Sequence, residues 1–403
     1  MLSTAARASQ RSRSRPRGRL DVPEPAPDIV ATLLQITWKW IGSTGIVAFS
    51  FGNLFMIAVG FFLIYLGIKG RYEPFLLVPI GVGAMLANIP NTGLMDEGGL
   101  LRLFYTGVQL TVLPPLIFLG VGAMTDFGPL IANPGVVLFG AAAHIGIFVA
   151  LMGAKLLGFN IYEAGAIGII GGADGPMAIY VASKLAPHLL GQVAVAAYSY
   201  MALLPLIQPP IMRLLTTEAE RKVSMKQLRP VSQRERILFP IIMLVFVNAL
   251  LPPIAPLVSM FMLGNLLRVS GVVERLSQTA SGALLDIVTI FLVTGIGATM
   301  SADNFFNLRT AQIVVLGLIA FATGTAGGVL AGKVACKLSG GKINPLIGSA
   351  GIAAVPMAAR VSHLVAFKAN PRNLLVMHAM GPNIAGVFGT AAAGSIMLTL
   401  LGY

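Results

Sequence analysis

Residues 171–176 read G-G-A-D-G-P, set between A-G-A-I-G-I-I (164–170) and M-A-I-Y-V-A-S-K-L (177–185). The flanks have the composition of a membrane interior, yet Asp174 stands among them. A carboxylate at bilayer depth costs about 3 kcal/mol even on insertion scales, so such residues face a bundle interior or a water-filled cavity and mark function. The glycines and Pro176 open the helix and free backbone carbonyl oxygens. Irregular backbone at that depth survives only where protein or a cavity covers it. Residues 162–187 are therefore expected to form a re-entrant hairpin or broken helix. Its carbonyls, with the charge of Asp174, can replace the hydration shell of a small hard cation.

The rest of the chain fits that setting. Of 403 residues, 56% are hydrophobic and 11% charged, where a soluble domain carries about a quarter charged. The fold class is an all-α polytopic membrane protein. Spans are expected near 52–68, 75–90, 107–125, 135–157, 189–211, 238–251, 253–268, 283–299, 311–335 and 373–400. Residues 28–47 mix apolar residues with Trp38, Lys39 and Trp40 and suit an interfacial amphipathic helix. Residues 343–368 are apolar but crowded with Gly, Ala, Ser and Pro, so a second hairpin is expected there. A polar loop at 213–237 divides a first membrane half, 48–212, from a second, 238–403.

The net charge of +13 is concentrated. Six arginines, from Arg7 to Arg19, lie in a tail at 1–27, and Arg213, Arg221, Lys222, Lys226, Arg229, Arg234 and Arg236 lie in the dividing loop. By the positive-inside rule both segments read as cytoplasmic. The tail is Arg- and Ser-rich without acids, a composition shared with transit peptides. It is read as a disordered cytoplasmic tail, with organelle targeting as the alternative. No basic folded face argues for nucleic acid. Cys336 is the single cysteine, so no disulfide framework or cysteine metal site follows. His144, His188, His363 and His378 show no zinc spacing, and packed or hydrogen-bonded histidines are expected. There is no Walker loop and no G-x-S-x-G elbow.

The two halves repeat. M-L-A-N at 85–88 returns as M-L-G-N at 262–265, and L-R-L at 101–103 as E-R-L at 274–276. I-F-L-G-V-G-A-M at 117–124 returns as I-F-L-V-T-G-I-G-A-T-M at 290–300, and G-P-M-A at 175–178 as V-P-M-A at 355–358. The order is kept at a nearly constant offset. An extra span near 238–251 makes the offset odd and inverts the second unit. Duplicated halves with interrupted segments in matching places point to a transport site at the midplane, where the hairpins meet.

Asn383, in M-G-P-N-I-A-G, follows a Gly-Pro pair expected to break the last span, and its amide oxygen can ligate a cation or join helices. Asn344 opens the second hairpin as a ligand or an N-cap. Tyr198 and Tyr200 lie midway along a span, where the interfacial-belt reading weakens. Tyr200 is the candidate for a proton or hydrogen-bond role. Arg360 ends the second hairpin and must pair or face water. It is placed to hold a carboxylate or a polar ring, or to form an internal salt bridge with Asp286 or Asp126. Lys184, after the first hairpin, suits interfacial snorkelling.

These blocks carry a resemblance. G-G-A-D-G-P, Y-S-Y-M-A-L-L-P, K-I-N-P-L-I-G-S-A-G-I-A-A-V-P-M-A-A-R-V-S and M-H-A-M-G-P-N-I-A-G closely resemble the β subunit of sodium-pumping biotin-dependent decarboxylases, over roughly 45–402. Those enzymes act on oxaloacetate, methylmalonyl-CoA, glutaconyl-CoA or malonate. The resemblance implies a chain that decarboxylates carboxybiotin delivered by a partner, exports Na+, commonly two ions, and consumes a proton. It implies biotin-carrier and carboxyltransferase subunits, a small single-span γ-type subunit, a homo-oligomer in the cell inner membrane, and an elevator-type architecture. It also implies function at Asp174, Asn344, Gly348 and Asn383 for the cation, and at Asp174, Tyr200 and Arg360 for the chemistry, with Arg360 on the carboxybiotin. Two positions depart: Met177 stands where many relatives have threonine, and Ala353 where some have serine. Each removes a hydroxyl, and a thioether is a poor sodium ligand. Beside this enzyme reading stand a Na+-coupled secondary carrier of a carboxylate and a channel or assembly anchor.

Overall fold

The computed structural model describes residues 29–305 and 307–403. The basic tail at 1–27 lies outside the described residues. Helix α1, Ile29–Ser43, has no buried residue and belongs to an N-terminal unit ending at Val47. All that follows concerns the second unit, Ala48–Tyr403. It is helical, with no strand among the described residues.

Its first half begins with α2, Phe51–Ile68, and α3, Pro74–Ala87. Then come α4, Leu100–Gln109, and α5, Leu113–Met124. A short α6, Gly128–Ala132, leads to α7, Val137–Ala143, and α8, Ile145–Leu156. The segment expected as the first hairpin is α9, Ile161–Gly168, a 3-10 turn at Ile169–Gly172, and α10, Gly175–Leu185. Helices α11, Leu190–Ala202, and α12, Leu204–Leu215, close the half. The dividing loop holds α13, Glu218–Arg221.

The second half runs through α14, Gln233–Leu250, and α15, Ala255–Ser270. Next are α16, Glu274–Thr279, a π turn at Ala280–Leu284, and α17, Leu285–Gly297. A short α18, Ala302–Phe305, precedes the long α19, Leu308–Leu338. The second interrupted segment is a 3-10 run at Pro345–Gly351, an extended break, and α20, Met357–Ala369. Helix α21, Val376–Leu400, ends the chain.

Six of these helical stretches are long and apolar enough to cross a membrane, or eight if each bent pair counts as one span. Ten spans were expected. Helix α3 has 14 residues, and α14 opens with Arg234, Glu235 and Arg236, so neither qualifies by length and composition. The span expected at 107–125 is bent by 74° between α4 and α5, where Thr111 takes a left-handed φ of 55° ahead of Pro114 and Pro115. The span expected at 189–211 is bent by 64° between α11 and α12, where Pro205 lacks the amide that would continue the helix. Conversely, the break expected at Gly381–Pro382 is absent: α21 runs through Pro382. One proline removes one backbone bond, and Gly381 packed on Val136 and Pro129 holds that turn in place.

Packing sorts the helices into two groups. In one, α3 packs on α17 and α5 on α15, with α2 and α14 outside. Glycines let these backbones touch. A Cβ at Gly83 would stand 2.3 Å from the Thr294 carbonyl, and one at Gly297 would stand 2.2 Å from that of Ile80. Gly122 meets the Phe261 carbonyl at 2.1 Å and Gly264 meets that of Leu119 at 2.0 Å in the same way. Two buried asparagines tie the ends: the Asn88 amide donates to the Met300 carbonyl and the Asn265 amide to that of Thr125, both at 2.7 Å. The other group holds α7 to α12 and α19 to α21 around the two interrupted segments.

Each interrupted segment doubles back. Glu163 in α9 accepts from His188, beyond α10, at 2.9 Å, so both limbs start from one end of the bundle. Arg309, at the start of α19, joins the same carboxylate at 3.1 Å. The second segment starts from the opposite end. Asn344 before it and Asn373 after it both donate to the Val223 carbonyl of the dividing loop, each at 2.8 Å.

Candidate functional site

The two breaks meet in the middle. The Ala353 amide of the second segment donates to the Gly172 carbonyl of the first at 2.9 Å. Ala173, with φ of 56°, holds a left-handed conformation that costs a non-glycine residue about 1 kcal/mol or more and clusters at functional sites. It turns the chain so that Asp174 caps α10, its Oδ1 accepting from the Met177 amide at 3.0 Å. That is one of the acceptor positions a carboxylate offers. Asp174 is 4% exposed and borders a cavity.

The cavity measures about 390 Å³. One wall belongs to the interrupted segments and α11: Asp174, Gly175, Pro176, Tyr198, Met201, Ala353, Pro356, Met357 and Arg360. The other wall comes from α3, α5, α15 and α17 and is mostly apolar, with Leu76, Ile117, Phe118, Phe261 and Val293. It also carries Glu73 and Asp286. Met124 and Glu73 lie at the rim, at the end of the bundle that holds the dividing loop. That end is fixed by Arg268 donating to the Met124 carbonyl and by Asp126 pairing with Arg236 at 3.6 Å. The cavity therefore reaches toward the end of the bundle that carries the basic loop, with Asp174 on its wall.

Arg360 is exposed into this space and forms no ion pair among the described residues. The salt bridge to Asp126 considered from the sequence is not formed, because Asp126 faces Arg236. Asp286 shares the cavity with Arg360. So does Glu73, at the turn before α3, whose carboxyl is pushed above its ordinary range by burial, with Arg360 opposing the shift. Glu73 has φ of 35°, a second left-handed non-glycine residue at this site. Its signal in the sequence was weak: a carboxylate before Pro74 at a span edge reads as a helix start.

Asn383 comes from α21 to the same junction. Its amide donates to the carbonyls of Ala350 at 3.1 Å and Ile352 at 2.7 Å. These bonds fix the side chain, and its Oδ1 is buried without a partner. A buried, oriented amide oxygen with no partner has the donor chemistry that a hard cation accepts. Gly348 and Gly328 let the 3-10 run lie against α19, with a Cβ on Gly348 only 1.9 Å from the Gly328 carbonyl. Asn344 is placed elsewhere. It is the N-cap of the 3-10 run, accepting from the Leu346 amide at 3.0 Å and donating to the carbonyls of Arg221 and Val223. Tyr200 also points away from Asp174, its hydroxyl donating to the Val314 carbonyl of α19. The phenol that borders the cavity is Tyr198. Met177 is buried, its sulfur 3.3 Å from where a Gly394 Cβ would stand. His144 is buried and bonded to Thr390 at 2.8 Å, as expected of a packed histidine. Lys184 is exposed in the last turn of α10. No cluster of three or more His, Cys, Asp or Glu side chains with metal-site geometry occurs among the described residues.

Comparison with known proteins bears on this arrangement. The family model described as the Na+-transporting oxaloacetate decarboxylase beta subunit matches residues 52–401. The chain is 59% identical over 362 residues to the glutaconyl-CoA decarboxylase subunit beta of Acidaminococcus fermentans, covering 90% of this chain and 96% of that one. It is 60% identical over 361 residues to the methylmalonyl-CoA decarboxylase subunit beta of Veillonella parvula, with the same coverage. It is 50% identical over 417 residues to the oxaloacetate decarboxylase beta chain of Haemophilus ducreyi, covering 88% of this chain and 96% of that one.

Proposed function

The chain belongs to the family of Na+-transporting decarboxylase beta subunits, and from that premise we propose that it decarboxylates carboxybiotin in the open cavity and couples the reaction to Na+ export. One observation carries the reading: Asp174 and the breaks of both interrupted segments converge on a cavity that also presents Arg360. The carboxybiotin arrives on a biotin-carrier subunit after a carboxyltransferase subunit has loaded it. The acid or acyl-CoA that supplies the CO2 is selected by that transferase. A small single-span γ-type subunit and further copies of this chain complete the assembly.

The roles follow from the chemistry. Arg360, unpaired and facing the cavity, holds the incoming carboxylate. The apolar wall of α3, α5, α15 and α17 excludes water from the leaving CO2, which favours a step that disperses charge. Asp174 and the unpartnered oxygen of Asn383 supply oxygens for Na+, with carbonyls freed at the breaks. Gly348 keeps the second segment tight on α19. Tyr200 and Asn344 act from a distance in this conformation, one anchoring α11 to α19 and the other clasping the loop.

Duplication and an elevator motion are supported by packing. In two places glycines of one half meet carbonyls of the other: Gly83 on Thr294 with Gly297 on Ile80, and Gly264 on Leu119 with Gly122 on Phe261. Asn88 and Asn265, the ends of M-L-A-N and M-L-G-N, make exchanged bonds to Met300 and Thr125. Glycine-to-backbone contacts lie within each of the two helix groups. The cavity lies between the groups, where a transport core slides along a scaffold. The positive-inside rule puts the basic loop, and so the cavity mouth, in the cytoplasm. Two Na+ moved against roughly 100 mV cost about 4.6 kcal/mol from the potential alone. Decarboxylation must therefore be tied to ion occupancy, and a core that moves only when loaded enforces the tie. A carrier without chemistry is disfavoured by family membership.

The test is the purified complex in vesicles, titrated with NaCl against LiCl and KCl while radioactive sodium is followed. Asp174→Asn is expected to lower Na+-stimulated decarboxylation at least about 100-fold. Full retention of activity refutes the assigned role.

A further inference from the structure

Helix α11 carries two tyrosines two residues apart, about 200° around the helix from each other. They face different partners. Tyr200 is bonded to α19. Tyr198 lies against the break of the first interrupted segment: a Cβ on Gly175 would stand 2.5 Å from its Cε2 and 2.6 Å from its Cζ. Its ring is 3% exposed, it borders the cavity that holds Arg360, and its hydroxyl is buried with no hydrogen-bond partner. A phenol whose O–H is left unmade is costly, and such groups call for a role.

We infer that the Tyr198 hydroxyl is the hydrogen-bond donor for the ureido oxygen of bound carboxybiotin. This rests on the function proposed above. In the reaction the bond between ureido nitrogen and carboxyl carbon breaks and CO2 leaves. The electron pair stays on the nitrogen and spreads onto the ureido oxygen. The nitrogen then takes up the proton that the reaction consumes, giving biotin beside the released CO2. Negative charge thus leaves the carboxylate and gathers on the ureido oxygen. Arg360 binds the charge where it begins, which favours the ground state. A neutral donor is needed where the charge arrives. Glu73, Asp174 and Asp286 offer no such donor when ionised; the Ser281 hydroxyl is bonded to the Ser277 carbonyl, and Thr289 lies on α17, across the cavity from Asp174. Tyr198 has a free O–H, fixed by its packing on Gly175.

The experiment compares wild type with Tyr198→Phe in the full complex, reconstituted in vesicles. Phenylalanine keeps the ring that packs on Gly175 and removes only the hydroxyl. The kcat for decarboxylation is expected to fall about 100-fold, as for loss of one donor to a developing oxyanion. The melting temperature, the half-saturating Na+ concentration and the sodium carried per CO2 are expected to stay unchanged. Wild-type kcat in Tyr198→Phe overturns the inference and leaves the proposed function standing. So does a shift in half-saturating Na+ as large as the change in kcat, which moves Tyr198 to the ion site. A fall in melting temperature with a raised KM and intact kcat also overturns it, as a packing role. If wild type itself moves no sodium on decarboxylation, the proposed function fails and the inference with it.

Discussion

Asp174 illustrates how one side chain organises its surroundings. Its backbone follows a strained Ala173, its Oδ1 caps α10, and the remaining acceptors border the cavity. The sequence made this residue legible because a carboxylate among glycines in an apolar run must bind something or be rejected by the lipid. It did not make Tyr198 legible. Whether Tyr198 or Tyr200 faces the site depends on how α11 is rotated, and a helix buried on all sides carries no amphipathic signal to set that rotation. Asn344 and Asn383 looked alike for the same reason: each stands next to a proline, one before Pro345 and one after Pro382, but only tertiary contacts decide whose oxygen stays free. Gly348 belongs to this scale as well. Gly348→Ala puts a methyl group against the Gly328 carbonyl, at a distance no packed atom tolerates. The second segment must then lift from α19, at a cost of about 2 kcal/mol. A lowered melting temperature in detergent, with sodium transport lost, is the expected result.

At the scale of elements, the interrupted segments were readable from glycine and proline, while the bends at Thr111 and Leu203 were not. Apolar runs look continuous to a hydropathy window, and one left-handed residue is enough to turn a helix. The first segment is pinned by Glu163, which is 6% exposed on its side chain and binds both His188 and Arg309. Glu163→Gln weakens two charge-assisted bonds, and a stability loss of about 2 kcal/mol is expected, read by thermal unfolding of the complex. The exchanged contacts of α3, α5, α15 and α17 permit a second prediction. Gly122→Ala and Gly297→Ala occupy matching places, each with a carbonyl within 2.2 Å of the new methyl group. Both are expected to destabilise by about 1–3 kcal/mol and by similar amounts. A large cost at one and none at the other would contradict the correspondence of the halves.

At the scale of the molecule, the passes of the chain can be counted. Helix α2 runs antiparallel to α3, whose end at Asn88 reaches Met300, far from the dividing loop. Helix α2 therefore starts at the end of the unit opposite Thr217. Single cysteines at Ser50 and Thr217, in a Cys336→Ser background, are expected to react with an impermeant thiol reagent from opposite faces of the membrane. Labelling of both from one face would overturn this count.

The clasp on the dividing loop has a mechanical corollary. Asn344, Asn370 and Asn373 hold three successive carbonyls, those of Arg221, Lys222 and Val223, from both ends of the second interrupted segment. The loop is thereby a passenger of that segment, strapped to it at two points. Any displacement of that segment would be passed to the loop with no hinge in between, and a molecule resting on the loop would be carried with it.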